Sequence, residues 1–176
     1  PPPQAARKRG CAAHSTSRKL HAPLEGLLEA ARVRRPPVRA APIDVQSILK
    51  NDAYRAQFET LLLERSGTLD IKPGIPEVQA DEVALGHALG NLIVTAVKHN
   101  TNPDPRVTVR AGSQDDTMTE IIIEDNGKGF PEDVVQRFSK IRSGRPTTLK
   151  GGFGLVVAHR AVQRMRGEMS LERAET

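Results

Sequence analysis

Between residues 81 and 125 the spacing of the apolar residues changes from one typical of a helix to one typical of a strand. Apolar residues at helical spacing predict a helix over about Glu82–Asn100, with Asp81 as its N-cap. Two segments with strand-like patterns follow, in which apolar residues alternate with polar ones or are consecutive: Arg106–Arg110 and Met118–Glu124. The polar stretch between them predicts a hairpin. A long amphipathic helix followed by a hairpin indicates a domain that mixes helices and strands.

The flanking segments continue this mixed pattern. They predict a helix from the Asp44 cap to about Arg65, strands over Thr68–Lys72, Glu77–Ala80 and Glu168–Glu172, and a helix over Phe153–Met165. Residues 126–152 hold five glycines and two prolines and show weak periodicity. A connection of that length is usually a functional lid or a disordered segment, so we predict a long loop there.

Charge is distributed unevenly along the 176 residues. The whole chain has 26 Lys and Arg against 21 Asp and Glu, a net charge of +5. Residues 1–40 hold nine basic and two acidic side chains, whereas residues 41–176 hold 17 and 19. The basicity therefore belongs to the N-terminal segment, and it gives no support for nucleic acid as a partner of the rest.

The number of cysteines and the hydropathy of the sequence bear on the cellular location of the protein. A single cysteine, Cys11, excludes an internal disulfide framework. No apolar run approaches the roughly 20 residues that a membrane-spanning helix needs. We therefore expect no membrane segment in this sequence and a cytoplasmic location, with membrane anchoring of a longer protein left open.

The N-terminal segment is predicted to be separate from the mixed domain. Residues 1–16 are rich in proline and basic residues and predict a disordered leader. Residues 17–41 predict the end of a helix and a linker, with an apolar stripe formed by Leu20, Leu24, Leu27, Leu28 and Ala31. Such a stripe needs a partner helix, which suggests a dimer seam. Residues 42–176 form the third predicted unit.

Three motifs of the third unit carry chemistry. On the helix after Asp81, a polar face adjoins the apolar one and contains His87, Asn91, Thr95 and Lys98. An apolar strand then delivers Asp125 to a turn with glycines two apart, and a carboxylate there can accept a hydrogen bond from an exocyclic amine such as that of adenine. Residues 150–155 are glycine-rich and precede a helix, a pattern that suits an anion.

Each motif alone also has an ordinary interpretation. The first is compatible with a solvated helix face, the second with a common strand-to-turn sequence, and the third lacks the Gly-Lys-Ser/Thr of a Walker loop. Their order in one chain is far more specific. Together they resemble the N, G1 and G2 boxes of the ATP-binding fold shared by histidine kinases, type II topoisomerases, the ninety-kilodalton heat-shock chaperones and MutL proteins.

The resemblance is to the histidine-kinase branch in particular. The N-box pattern, His87-x-x-x-Asn91-Leu-x-x-Thr95-Ala-x-Lys98-His99, has that branch's form, and Arg137-Phe138-Ser139-Lys140 resembles its F box. The similarity covers about residues 42–174. Residues 27–32 are similar to the end of the second dimerisation-domain helix of these kinases.

The resemblance implies a fold and an activity. The fold is an α/β (α+β) two-layer sandwich, with a mixed sheet covered on one face by about three helices and an ATP lid. The activity is ATP binding with Mg²⁺ and donation of the γ-phosphoryl group to a histidine outside this sequence, for relay to a response regulator. The implied partners are ATP, the kinase's own dimerisation and phosphoacceptor domain, and the response regulator, with a homodimer in the full-length protein. Because no phosphoacceptor motif is present, we expect this sequence alone to bind ATP without autophosphorylating.

The resemblance also implies roles for individual residues. Asp125 would contact the adenine amino group in a pocket shaped by Gly127 and Gly129. Asn91 and Lys98 would act beside the phosphates, with Asn91 and Thr95 as the Mg²⁺ ligands. The other implied nucleotide or lid residues are His99, Phe138, Lys140, Arg142, Gly152, Phe153, Gly154 and Leu155.

Two departures keep alternatives open. Thr95 stands where the family usually has a second asparagine that binds Mg²⁺, and Lys150 stands at the first G2 glycine. A hydroxyl is shorter than an amide and a poorer ligand, so a degenerate kinase acting as a scaffold is the main alternative. A serine-directed kinase or anti-sigma module on the same fold, and a nucleic-acid module, are the others.

Overall fold

The computed structural model describes residues 38–145 and 153–172 of the chain. In chain order its elements are β1 (Ala41–Ile43), α1 (Val45–Lys50), α2 (Asp52–Arg55), α3 (Glu59–Glu64), β2 (Thr68–Ile71), β3 (Val78–Ala80), α4 (Glu82–His99), β4 (Arg106–Gln114), β5 (Thr119–Asp125), α5 (Glu132–Arg142) and α6 (Phe153–Arg164). The predicted leader at 1–16 and the predicted helix at 17–34 lie outside the described residues.

A mixed sheet of three strands, in the order β2-β4-β5, forms the centre of the fold. β2 pairs with β4 in parallel, from Thr68 opposite Arg106 onward. β4 and β5 form the antiparallel hairpin expected from the sequence, with Val107 opposite Asp125. β1 and β3 make a separate antiparallel pair. The predicted combination of a mixed sheet with helices is confirmed.

The main hydrophobic core lies between this sheet and α4. Val107 and Val109 alternate along β4 and are completely buried. The α4 side chains that join them are Leu85, Leu89, Ile93 and Val97. Arg110 and Glu124 form an exposed ion pair at 2.6 Å across the hairpin. This alternation of buried and charged positions gives the sheet one apolar face and one polar face.

A second, smaller core joins α4 to α5 and α6. Its buried members are Ala88, Phe138, Leu155, Ala158 and Met169. Because Ala88 belongs to this core while Leu85 and Leu89 belong to the first, α4 buries two neighbouring faces. This double burial positions the polar face of α4 beside the start of α6.

Asp81 begins α4 as the sequence predicts. Its Oδ1 accepts a hydrogen bond from the backbone N–H of Ala84 at 2.9 Å, and its Oδ2 accepts one from the N–H of Arg39 at 3.1 Å. These hydrogen bonds hold the pKa of the Asp81 carboxyl below its usual value. The helix ends at His99, one residue before the predicted limit, because Asn100 is extended.

The prediction of one helix from Asp44 to Arg65 is wrong. The structure has three short helices there, α1 to α3. Asn51 adopts an extended conformation after α1, and its side chain accepts a hydrogen bond from the N–H of Ala53 to cap α2. Phe58, 2% exposed, interrupts the chain again before α3. Side-chain capping and burial therefore override the continuous apolar spacing.

Two predictions in the C-terminal half are also wrong. The predicted long loop at 126–152 contains the eleven-residue helix α5. Val134, Phe138 and Ile141 provide its apolar side in the second core. The predicted strand Glu168–Glu172 is absent as a strand, and residues 167–172 are irregular.

Candidate functional site

Asp125 lies at the end of β5, where the strand gives way to a tight turn. Its Oδ1 accepts a hydrogen bond from the N–H of Gly127 at 2.8 Å. A Cβ at Gly127 would lie 2.6 Å from that oxygen, so a side chain there would displace the carboxylate from this position. The Oδ2 of Asp125 accepts no hydrogen bond from any described residue. A half-buried carboxylate with one held and one unused oxygen is suited to accept a hydrogen bond from a ligand.

The polar face of α4 presents Asn91 and Thr95 one turn apart, both half-buried. The amide of Asn91 donates to the carbonyl of His87 at 2.8 Å, which leaves its Oδ1 as an acceptor. The hydroxyl of Thr95 donates to the carbonyl of Asn91 at 2.7 Å, so its oxygen keeps its lone pairs. The two side chains thus offer neutral oxygen atoms on one side of the helix.

Gly154, at the start of α6, lies directly against this polar face. A Cβ at that position would be 2.8 Å from Thr95 Oγ1 and 3.4 Å from the Asn91 carbonyl. The absence of a side chain therefore allows α6 to approach α4. Next to it, Leu155 is 3% exposed and Phe153 is 76% exposed, so Leu155 is a core residue and Phe153 faces solvent.

One cavity of about 850 Å³ brings several of the predicted residues together. Its lining includes Thr95, Asp125, Arg142 and Leu155, together with apolar side chains of α4 and β5. It extends along β5 to residues 166–171, well beyond the three motifs. Thr95 and Asp125, separated in sequence by the β4–β5 hairpin, thus share one concave surface.

The remaining predicted residues lie around this surface or outside it. Lys98 and His99 are exposed at the end of α4, and neither forms an ion pair with a described residue. Gly129 has a φ of 73°, in the left-handed region. Gly152 is outside the described residues.

The helix α5 is held by Phe138 and presents cations to solvent. Phe138 is 2% exposed and meets the ring of His159 edge-on, with centroids 5.4 Å apart. Lys140 and Arg142 are exposed on the same helix, and Arg142 also lines the cavity. α5 therefore carries positive charge to the rim of the surface that contains Asp125.

Sequence reasoning missed Asn100, a residue at the centre of this region. Its side chain is 3% exposed and lies beside Asp125, and it donates to Asn126 Oδ1 at 2.8 Å. The available signal was an asparagine directly after the predicted helix, a position that often ends helices. Nothing in the sequence indicated that its side chain turns toward the end of β5.

Asn91 and Thr95 carry neutral oxygen atoms of the kind that Mg²⁺ takes as ligands. In the described part of the chain, no group of three or more His, Cys, Asp and Glu side chains is placed to bind a metal. Mg²⁺ in nucleotide sites usually takes only one or two protein ligands and completes its shell with phosphate and water oxygens. Asn91 Oδ1, whose amide group is already hydrogen-bonded, accepts no hydrogen bond from a described residue and is the oxygen of this side chain that could serve as such a ligand.

Residues 80–176 match the family model described as histidine kinase-, DNA gyrase B-, and HSP90-like ATPase. The chain belongs to this family. The match contains the polar face of α4, the turn after Asp125 and the start of α6. The catalytic ATP-binding domain of a histidine kinase is thus the unit to which this chain corresponds.

Known members of the family resemble the chain over most of its length. The signal transduction histidine-protein kinase AfsQ2 of Streptomyces coelicolor is 31% identical over 164 residues, 91% of this chain and 29% of the relative. The sensor protein EvgS of Escherichia coli is 27% identical over 139 residues, 74% of this chain and 11% of the relative. The chain therefore spans three tenths or less of the length of these relatives.

The fold likeness extends to a solved structure with a nucleotide analogue. Full-length ShkA in complex with AMPPNP matches 94% of this chain with 38% of its own, at a TM-score of 0.55 and 20% identity. At that identity the match shows the fold. Separately, no helix in the described ranges combines the length and apolar character that crossing a membrane requires.

Proposed function

We propose that this chain is the part of a sensor histidine kinase that binds ATP and donates its γ-phosphoryl group to a histidine. The observation that carries the proposal is the unused Oδ2 of Asp125, in a cavity that Thr95 and Arg142 also line. Family membership supports it. The names of the relatives AfsQ2 and EvgS and the AMPPNP bound to ShkA add further support.

Recognition of the base would rest on the end of β5. The exocyclic amine of adenine would donate to Asp125 Oδ2, while the N–H of Gly127 keeps Oδ1 occupied. The close turn formed with Gly127 and Gly129 lets the backbone pass near a flat base. Apolar side chains of α4 and β5 in the lining of the cavity would contact the faces of the base.

Handling of the phosphates would rest on cations and oriented dipoles. Lys98, Lys140 and Arg142 are exposed, and none is ion-paired with a described residue, so their charge is available to phosphate. Gly154 lets the start of α6, whose first N–H groups have no partner within the helix, approach the same face of α4. Phosphoryl transfer depends mainly on such positioning and charge neutralisation.

Mg²⁺, when bound, would neutralise the charge of the phosphates. Asn91 and Thr95 are the residues that would hold it, through Oδ1 and Oγ1. The residues of this chain would orient the γ-phosphoryl group without a covalent intermediate. The phosphoryl group would pass to a histidine of a dimerisation domain and then to a response regulator. We further propose a homodimer of the full-length kinase and a cytoplasmic location for this domain.

One observation favours a second function, a scaffold that binds nucleotide weakly. The hydroxyl of Thr95 is engaged with its own helix, and Gly154 lies against it. A threonine in this setting reaches less far than the amide that the family usually has. In this alternative the fold is retained and phosphoryl transfer is lost.

A titration with a fluorescent ATP analogue, with and without Mg²⁺, separates the two functions. The kinase proposal predicts micromolar binding that depends on Mg²⁺ and that Asp125→Asn removes. Thr95→Asn should strengthen Mg²⁺-dependent binding if Thr95 limits it. Weak binding that does not respond to Mg²⁺ favours the scaffold. Phosphoryl donation is tested by acid-labile label on an added dimerisation domain of the parent protein.

A further inference from the structure

Asn100 is a buried polar residue at the junction of α4 and β5. Its side chain is 3% exposed, one of two polar residues so deeply buried among those described. Its backbone is extended, with φ of −69° and ψ of 130°, so the chain leaves α4 at this residue. A buried amide in such a place is costly unless each of its polar atoms has a partner.

All polar groups of the Asn100 side chain have partners. Its Nδ2 donates to Asn126 Oδ1 at 2.8 Å and lies 3.4 Å from Asp125 Oδ1. Its Oδ1 accepts from the N–H of Asn102 at 2.9 Å. The guanidinium of Arg65 donates to the Asn100 carbonyl at 2.7 Å. The side chain of Asn100 is thus held by partners in two segments of the chain, and its backbone carbonyl by a third.

This network determines which oxygen of Asp125 is available. The N–H of Gly127 and the amide of Asn100 both approach Oδ1, at 2.8 and 3.4 Å. Asn100 also packs beneath the turn, since a Cβ at Gly127 would lie 3.2 Å from its Cγ. Two donors on one side of the carboxylate hold its plane and direct Oδ2 away from them.

We propose that Asn100 is a positioning residue that determines adenine specificity, through the orientation of the Asp125 carboxylate. This inference rests on the proposed function, in which Asp125 Oδ2 accepts the exocyclic amine. Asn100 itself does not contact the base. Without Asn100 only the Gly127 N–H would hold the carboxylate, so Oδ2 would be less firmly directed at the base and the preference for a base with an amine over one without it would shrink.

The test compares ATP with inosine triphosphate, which carries an oxygen in place of the amine. Dissociation constants for both nucleotides are measured with the full chain. The unsubstituted chain should prefer ATP by at least about tenfold, the effect expected when a charged acceptor loses its donor. Asn100→Ser, which cannot reach Asp125, should reduce this preference to about threefold or less.

Asn102→Ala is the matched control. It removes a hydrogen bond from Asn102 to the Asn126 carbonyl in the same network without touching Asp125. It should leave the ratio of the two affinities unchanged. Asn100→Leu keeps a similar volume and removes the donor without adding a charge, and it serves if the serine variant does not fold. Folding is checked by circular dichroism.

The outcomes separate this inference from the proposed function. If Asn100→Ser and Asn100→Leu weaken both nucleotides equally and keep the preference, Asn100 is merely structural and the inference is overturned. If the unsubstituted chain binds both nucleotides equally, adenine recognition by Asp125 fails. If it binds neither nucleotide, ATP binding itself fails.

Discussion

The imidazole of His159 is buried without a hydrogen-bond partner. It is 3% exposed, and neither ring nitrogen is paired with a described residue. Its ring packs edge-on against Phe138 of α5. Burial, and then the nearby charges of Arg142 and Arg160, lower the pKa of His159 below its usual value of 6.5. The folded chain therefore protonates this imidazole only at a lower pH than the unfolded chain does.

We predict that His159 makes folding stability depend on pH. Below about pH 6.5 the unfolded chain binds a proton that the folded chain does not, so the free energy of unfolding falls as the pH falls. His159→Leu should flatten this dependence between pH 7.5 and 5.5, as measured by urea denaturation. His99→Gln, at an exposed position, is the control. An unchanged slope in the leucine variant would contradict the assignment.

The close approach of Gly154 to Thr95 predicts that substitutions at the two positions have strongly coupled effects on stability. In Gly154→Ala the new Cβ would lie 2.8 Å from Thr95 Oγ1, so either this hydroxyl or the two helices must move. We expect a loss of roughly 1–3 kcal/mol in the free energy of unfolding without nucleotide. Thr95→Ala removes the obstructing oxygen, so the double variant should recover most of the loss. Additive effects in the thermodynamic cycle would show that α6 does not approach α4 as described.

Among the elements, α4 accommodates its neighbours through glycines on one face. A Cβ at Gly86 would lie 2.3 Å from Cε1 of the Tyr54 ring, and one at Gly90 would lie 2.5 Å from Gln57 Oε1. The two positions are one turn apart on the same helix. The ring of Tyr54 is rigid, whereas the amide of Gln57 is the far end of an exposed and flexible side chain.

The two glycines should therefore respond in opposite directions to alanine. Gly86→Ala should lower the free energy of unfolding by roughly 1–3 kcal/mol because the ring must move. Gly90→Ala should be neutral or stabilising by up to about 1 kcal/mol, because Gln57 can swing away and alanine favours a helix. Thermal denaturation of the pair measures the difference. Equal losses would show that the region of α2 is not packed on α4 as described.

The sequence predicts elements best where one local pattern dominates. The helix α4 and the β4–β5 hairpin have strong periods and clear caps, and they are confirmed. The helix at 44–65 was predicted as continuous because its apolar spacing is regular, but capping by Asn51 breaks it. The helix α5 was missed because glycines around it obscured the spacing of Val134, Phe138 and Ile141.

The part of the candidate site that can be predicted consists of residues recognisable from their type and their spacing in the sequence. Asp125, with its glycine turn, and the polar face of α4 were visible from residue types and spacing alone. Asn100 was not, because its importance depends on a contact across 25 residues of chain. His159 was missed for the same reason, since its partner Phe138 lies on another helix. Such tertiary contacts carry no local signal.

On the scale of the whole molecule, the excess positive charge lies outside the unit that contains the candidate site. Residues 38–176 cluster as one unit, distinct from residues 1–37. They contain 18 basic and 19 acidic side chains, so the excess of positive charge lies before residue 38. The basic character of the chain is therefore a property of its first segment, and the ATP-site unit is nearly neutral.

We predict that removal of residues 1–37 affects binding of DNA and leaves binding of ATP unchanged. Any affinity for DNA at low salt should disappear, because counterion release needs clustered cations. Binding of a fluorescent ATP analogue should be unchanged. Mobility-shift assays and the ATP titration, performed on both chains at about 50 and 200 mM salt, measure the two. DNA binding by the shortened chain at the higher salt would point to a nucleic-acid module instead.

The parallel pairing of β2 with β4 has a kinetic consequence. The hairpin of β4 and β5 joins neighbouring segments of the chain. Thr68 of β2 pairs with Arg106 of β4, and β3 and all of α4 lie between these two strands in the sequence. Closing a longer loop costs more entropy before any contact compensates for it. We expect Val109→Ala to slow refolding and Leu69→Ala mainly to speed unfolding, as chevron plots would measure. β2, the first strand of the central sheet in chain order, would then be added last, after α4 has formed.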